Sequence, residues 1–230
     1  MIKNIIFDMG GVLCDFNPPA MMAKLPINDT HIPILYRELF HSQEWILFDA
    51  GEVTEEEVLE KTCARAKAHI LAGFYGPWAE EKGKAQAFIR EIEEEIGICL
   101  RGWVNEIMPI PEMEPVVAAL KEAGYRIFLL SNASVQFERY QDRVPAFQYM
   151  EGLFVSGYHR MIKPEKEIYR AFLSEYGLKA EECIFIEDNP ANLAGAYTCG
   201  IEGIVFNGDV DELWLDLKRF GIEGRSGPEQ

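Results

Sequence analysis

Ile5-Ile6-Phe7-Asp8-Met9-Gly10-Gly11-Val12-Leu13 is the stretch on which the reading of this chain turns. An apolar run ends in one carboxylate, and two glycines follow at once. Residues 2–7 are apolar, β-rich and almost continuous, the pattern of a parallel strand buried on both faces. Asp8 then falls at the carboxyl end of that strand, the edge where open α/β sheets bind ligands. Gly10 and Gly11 permit a tight turn there. No Gly-x-Gly-x-x-Gly follows the strand, so it carries no dinucleotide fingerprint.

Working outward, the character changes from Phe16 to about Arg101. Pro18-Pro19 is expected to break regular structure. Helical patterns follow over about 31–48, 54–72 and 79–97, the second opened by Thr54-Glu55-Glu56-Glu57 in the manner of a capping box. Gly73 to Pro77 reads as a loop, and Glu93-Glu94-Glu95 as a solvated helix face. Trp45, Phe48, Phe74, Tyr75 and Trp78 are expected to form the core of this segment. No strong strand is visible in it. The α/β rhythm then returns. Helices are expected over 111–123, about 134–141, from Lys163-Pro164 to Gly177, from Asn189-Pro190 onward and over 210–220. Strands are expected over 125–130, 153–156, 183–186 and 201–206. This alternation predicts a doubly wound, parallel, Rossmann-like α/β core over residues 1–15 and 102–230, with an α-helical insert over 16–101. The tail from Gly224 to Gln230 is expected to fray.

The chain has 230 residues, 48% of them hydrophobic, enough for a sizeable core. Lys and Arg number 22 against 38 Asp and Glu, a net charge of -16. Such a surface argues against nucleic acid and anionic membrane as partners. It also means that a phosphorylated ligand must meet a locally positive place, a metal ion or a placed lysine. Five cysteines without a Cys-x-x-Cys pair suit reduced thiols. The first residues lack the apolar stretch of a signal peptide, and no run of about 18 apolar residues occurs. The expectation is a soluble cytoplasmic protein, monomer or homodimer.

Four polar sets fall at or just beyond expected strand ends: Asp8, Ser131-Asn132, Lys163 and Glu187-Asp188. In a parallel sheet these ends share one edge, so residues distant in sequence can form one site. Carboxylates and carbonyls there suit a hard ion such as Mg²⁺. A nucleophile, a hydroxyl, a cation and a carboxylate pair are what phosphoryl transfer requires. Each has a plainer reading. Asp8 could end a strand or cap a turn, Ser131-Asn132 could cap a helix, Lys163 could be solvated, and Glu187-Asp188 could cap a helix start.

Phe-Asp-Met-Gly-Gly-Val at 7–12, Leu-Leu-Ser-Asn at 129–132, Lys163-Pro164-Glu165 and Phe-Ile-Glu-Asp-Asn at 185–189 resemble, in order, the four motifs of the haloacid dehalogenase-like hydrolases. The helical insert resembles that family's small cap. The resemblance implies a Mg²⁺-dependent phosphatase for a small phosphorylated metabolite such as a sugar phosphate. Asp8 would be the nucleophile, forming an aspartyl-phosphate, and would share the metal with the Gly10 carbonyl, Asp188 and Glu187. Ser131 and the Asn132 amide would hold phosphate oxygens, and Lys163 would balance charge. Asn192 would orient the metal shell. Apart from the resemblance, His159 and Arg160, just before Lys163, could touch substrate, although loop residues of this kind are more often surface polar groups. The chain departs from the resemblance at Gly10, where family phosphatases usually carry a second aspartate as general acid. Two expectations follow: Asp15 at the hinge of the insert, or another residue of the insert, substitutes for it, or the enzyme prefers leaving groups that need little protonation, such as an anomeric or aryl phosphate. The alternatives are a dehalogenase, in which Asp8 attacks carbon, and a non-catalytic ligand-binding relative.

Overall fold

The computed structural model describes residues 1–76 and 82–224. Trp78, the first residues of the helix expected from 79, and the tail beyond Gly224 lie outside them. The chain divides into two compact units, Met1–Phe16 with Met108–Gln230, and Asn17–Ile107.

The chain enters the first unit on strand β1 (Asn4–Phe7), every residue of it buried. A turn over 8–13 leads to the short strand β2 (Cys14–Asp15). The second unit then begins with helix α1 (Pro18–Met22). Pro18 and Pro19 open this helix rather than break it. Asn17 accepts the Ala20 N–H at 3.2 Å, and proline at the first helical positions has no N–H to leave unpaired. The single helix expected over 31–48 is broken. It consists of α2 (Ile32–Leu35), a π turn over Tyr36–Phe40, and α3 (Gln43–Asp49). Ser42 starts α3 afresh: its hydroxyl accepts the Trp45 N–H and donates to Leu39 O. Helix α4 (Glu55–Leu71) has the expected capping box between Thr54 and Glu57. Helix α5 (Lys82–Gly102) packs against α4.

The insert runs to Ile107, past the expected 101. Trp103 belongs to its core, 5.3 Å from Trp45 and 6.5 Å from Phe40, ring centre to ring centre. Trp45 and Phe48 are buried as expected, whereas Phe74 is 58% exposed beneath the Arg37 guanidinium. The buried Glu38 carboxylate is held by Arg65, His69 and Tyr75, which answers the cost of taking a charge out of water.

The chain returns to the first unit on β3 (Met108–Pro109), antiparallel to β2. This two-residue ribbon was not visible in the sequence pattern, being too short for periodicity. Helix α6 (Met113–Glu122) and strand β4 (Arg126–Ser131) follow. Where a helix was expected over about 134–141 there are three 3-10 turns, Val135–Arg139, Gln141–Arg143 and Pro145–Tyr149. Ser134 caps the first by accepting the Gln136 N–H, and Pro145 forces a new start for the third. Then come β5 (Gly152–Val155), the single turn α7 (Ser156–His159), α8 (Lys166–Glu175), β6 (Cys183–Glu187), α9 (Pro190–Tyr197), β7 (Glu202–Val205) and α10 (Val210–Arg219).

The sheet is parallel throughout, in the order β5-β4-β1-β6-β7. It is the doubly wound α/β core expected, with β1 central. Phe128, Phe154, Phe172, Tyr169 and Phe185 are buried together against it. Each such side chain contributes roughly 1.5–3 kcal/mol when fully removed from water. Phe7 pairs with both Leu129 and Ile186, so the residues that follow in each strand emerge side by side at the carboxyl edge. All five cysteines are free thiols. No helix among the described residues is long and apolar enough to cross a membrane.

Candidate active site

Asp8 is the first residue past β1, and its N–H extends the ladder to Ile186 O at 2.9 Å. The chain then folds back on itself, with Leu13 and Cys14 both donating to Met9 O. Gly11 makes this turn possible. It has φ +72, and a Cβ there would sit 2.2 Å from Asp188 Oδ2. Glycine therefore lets Asp188 approach the turn after Asp8 as well as permitting the left-handed backbone.

Asp8 and Lys163 form a buried ion pair, Oδ1 to Nζ 2.8 Å. The same ammonium donates to Glu187 Oε2 at 2.6 Å and to Leu130 O at 3.1 Å. It thus joins the ends of β1, β4 and β6. Glu187 is fully buried, and its other oxygen accepts the Asn189 N–H at 3.1 Å. Burial pushes the Asp8 carboxyl up to about 6, against the pull of the Lys163 charge. Lys163 is held above its ordinary value: burial opposes its charge, but Asp8 and Glu187 outweigh that. The buried Cys14 thiol is pushed up to about 12 by its burial and by the Asp8 charge.

The Asn132 side chain is turned onto Lys163. Its Oδ1 accepts the Lys163 N–H at 2.8 Å and its Nδ2 donates to Lys163 O at 3.0 Å. Asn132 thus brackets the main chain of the lysine. Next to it, the Ser156 hydroxyl accepts the Ala133 N–H at 2.9 Å and donates to Ala133 O at 3.2 Å, which holds the loop after β4 in place. Ser131 is buried at the end of β4. The main chain at the next residue, Pro164, is closely packed against α9. A Cβ on Gly195 would lie 2.4 Å from Pro164 O, so only glycine lets α9 pack this close. Ser156 and Gly195 were not found from the sequence. A serine after a strand and a glycine inside a helix carry no signal without their partners.

Asp8, Glu187 and Asp188 offer oxygens that all lie within 4.8 Å of one another, with Asp188 the exposed member. Asp8 and Glu187 share the Lys163 ammonium and Asp188 adds a third carboxylate, so acidic groups outnumber basic ones here among the described residues. Hard oxygen donors with that excess fit a divalent ion such as Mg²⁺. Asn192 is buried one turn into α9, and its carbonyl accepts the Tyr169 hydroxyl at 2.6 Å. Asp15 is exposed on β2, beside the buried Cys14. Arg160 is exposed and ends α7 in the left-handed region at φ 54. His159 stacks on Phe154, with ring centres 3.7 Å apart.

A family model for haloacid dehalogenase-like hydrolases matches residues 2–200. Among curated proteins, a sesquiterpene phosphatase of Aspergillus oryzae is 24% identical over 204 residues, covering 88% of each chain. Haloacetate dehalogenase H-2 of a Moraxella species is 25% identical over 211 residues, 87% of this chain and 84% of that one. Among solved structures, an enzyme of the same family from Bacteroides thetaiotaomicron, in complex with magnesium and inorganic phosphate, superposes with a TM-score of 0.64. It is 18% identical, and the match covers 93% of this chain and 100% of that one.

Proposed function

The chain belongs to the haloacid dehalogenase-like hydrolases, and from that premise we propose that it is a Mg²⁺-dependent phosphatase acting on a small phosphorylated metabolite. One observation carries this reading: three carboxylates gathered at the carboxyl edge of β1 and β6, two of them paired with the Lys163 ammonium. Asp8, Asp188 and the Gly10 carbonyl would hold Mg²⁺, with Glu187 behind them. The ion would supply the positive charge that lets an anionic nucleophile approach an anionic phosphate.

The remaining work falls to the chain itself. Asp8, ionised at neutral pH, attacks phosphorus and becomes an aspartyl-phosphate. Ser131 and the main-chain N–H of Asn132 bind phosphate oxygens. Lys163, fixed by Asn132 and Glu187, stabilises charge as it moves from Asp8 onto the phosphoryl group. Water then releases phosphate and restores Asp8.

The dehalogenase reading uses the same Asp8 against carbon, and similarity to a haloacetate dehalogenase favours it. It gives no role to that excess of carboxylates. A panel of phosphorylated metabolites and short haloacids, assayed with and without Mg²⁺ beside Asp8→Asn, separates the readings. Expected is Mg²⁺-dependent phosphate release that is lost in Asp8→Asn. Metal-independent halide release would replace the proposal with the dehalogenase. No turnover of either class would favour a binding protein.

A further inference from the structure

The two glycines after Asp8 are glycine for different reasons. Position 11 requires it, by backbone conformation and by the approach of Asp188. Position 10 does not. Its φ is not in the left-handed region, and an added Cβ would meet only Phe16, at 3.4 Å from Cβ and 3.8 Å from Cγ, both ordinary contacts. The backbone and the space around it would accept a Cβ there.

Resting on the phosphatase reading, the consequence concerns the leaving oxygen. When an Asp8 oxygen bonds to phosphorus, the bond from phosphorus to the leaving oxygen breaks and that oxygen keeps the electron pair. It must then take a proton or depart as an anion. Among the described residues of the core unit, Lys163, Tyr169 and Cys14 carry protons near Asp8, and none of the three is a ready donor. The Lys163 ammonium is spread over Leu130 O, Glu187 and Asp8. The Tyr169 hydroxyl donates to Asn192 O. Cys14 is a buried thiol, a weak donor. Asp15 is exposed on β2 where its neighbour Cys14 is buried, so the two residues alternate in direction.

We propose that Gly10 keeps the place beside Phe16 free of a proton donor, and that the enzyme acts on phosphate esters or anhydrides whose leaving oxygen is stable as an anion. Phenolates, enolates, carboxylates and phosphate qualify; simple alkoxides do not. In the second half-reaction, water adds to the phosphorus of the aspartyl-phosphate as the bond to Asp8 breaks. Asp8 is recovered as a carboxylate, and both protons of the water leave on dihydrogen phosphate. No protein acid is consumed.

Phenyl phosphate and benzyl phosphate test this, because they match closely in size and polarity while only phenoxide is a stable anion. The wild-type protein with Mg²⁺ is expected to favour phenyl phosphate by about 100-fold or more in kcat/KM, the low end of what a positioned acid contributes. Gly10→Asp is expected to narrow that ratio by about tenfold, by raising the benzyl rate. Gly10→Ala, which adds a Cβ without an acid, is expected to keep the ratio. Equal wild-type rates on the two esters would overturn the proposal, and so would a folded Gly10→Asp protein with an unchanged ratio. If Gly10→Asp fails to fold, the wild-type ratio decides alone. Absence of any Asp8-dependent phosphate release, acetyl phosphate included, would overturn the phosphatase reading itself, and this proposal with it.

Discussion

At the scale of single residues, Gly11 and Asp8 carry the sharpest consequences. Gly11→Ala places a Cβ against Asp188 Oδ2 and forces alanine into the left-handed region, which costs roughly 1–2 kcal/mol for the backbone alone. The expected result is a lower melting temperature together with weaker Mg²⁺ binding, read by calorimetry. A variant that is less stable but binds Mg²⁺ normally would show that Asp188 is not a ligand. Asp8 makes a pH-dependent contribution in the metal-free protein. Its carboxyl is raised from 3.8 to about 6, so the folded state binds the proton more tightly than the unfolded chain. That contribution is fully present below about pH 4 and is lost as pH rises through about 6. Unfolding free energies of wild type and Asp8→Asn should therefore diverge over that window, with wild type losing up to roughly 3 kcal/mol relative to the variant. A constant difference would mean that Lys163 offsets the burial completely.

At the scale of elements, the site depends on loops being pinned to one another. The loop after β4 and the segment before α8 meet through the Asn132 amide and the Lys163 main chain. Asn132→Ala removes both hydrogen bonds and leaves polar groups of the Lys163 main chain short of a partner, a cost of about 1–3 kcal/mol. Lys163 would lose one side of its support. The expected outcome is a fall in kcat of about tenfold or more with KM changed less, since substrate-binding groups stay in place. A change confined to KM would return the Asn132 side chain to direct contact with substrate. Much of this element structure was legible in advance. β1, β4 and β6 are dense apolar runs ending in polar residues, and the capping box of α4 is local chemistry. The broken helices were not legible. Ser42 and Ser134 each offer the backbone a hydroxyl partner that competes with helix continuation, and which partner wins is settled by packing.

At the scale of the whole molecule, charge is the dominant feature. A net charge of -16 repels itself in the folded state, and screening should relieve that repulsion. Raising NaCl from about 10 to 150 mM shortens the screening length from about 30 to 8 Å. The melting temperature is expected to rise by a few degrees over that range. A fall would show that surface pairs such as Lys3–Glu182 and Arg126–Glu151 outweigh the net repulsion.

The sequence by itself determined the parallel α/β core, the helical insert and the identity of the groups at the sheet edge. It could do so because strand burial and the order of the motifs are written in local composition. Tertiary structure alone decided what those groups do to one another. It turned the Asn132 side chain onto Lys163, seated Glu187 behind the lysine, and brought Asp188 to within one absent Cβ of Gly11. It also separated two adjacent glycines that look alike in sequence. One is compelled by a close approach and a positive φ; the other has room for a Cβ it does not carry. Distances across strand ends arise only when the sheet register is set, and no local pattern encodes them.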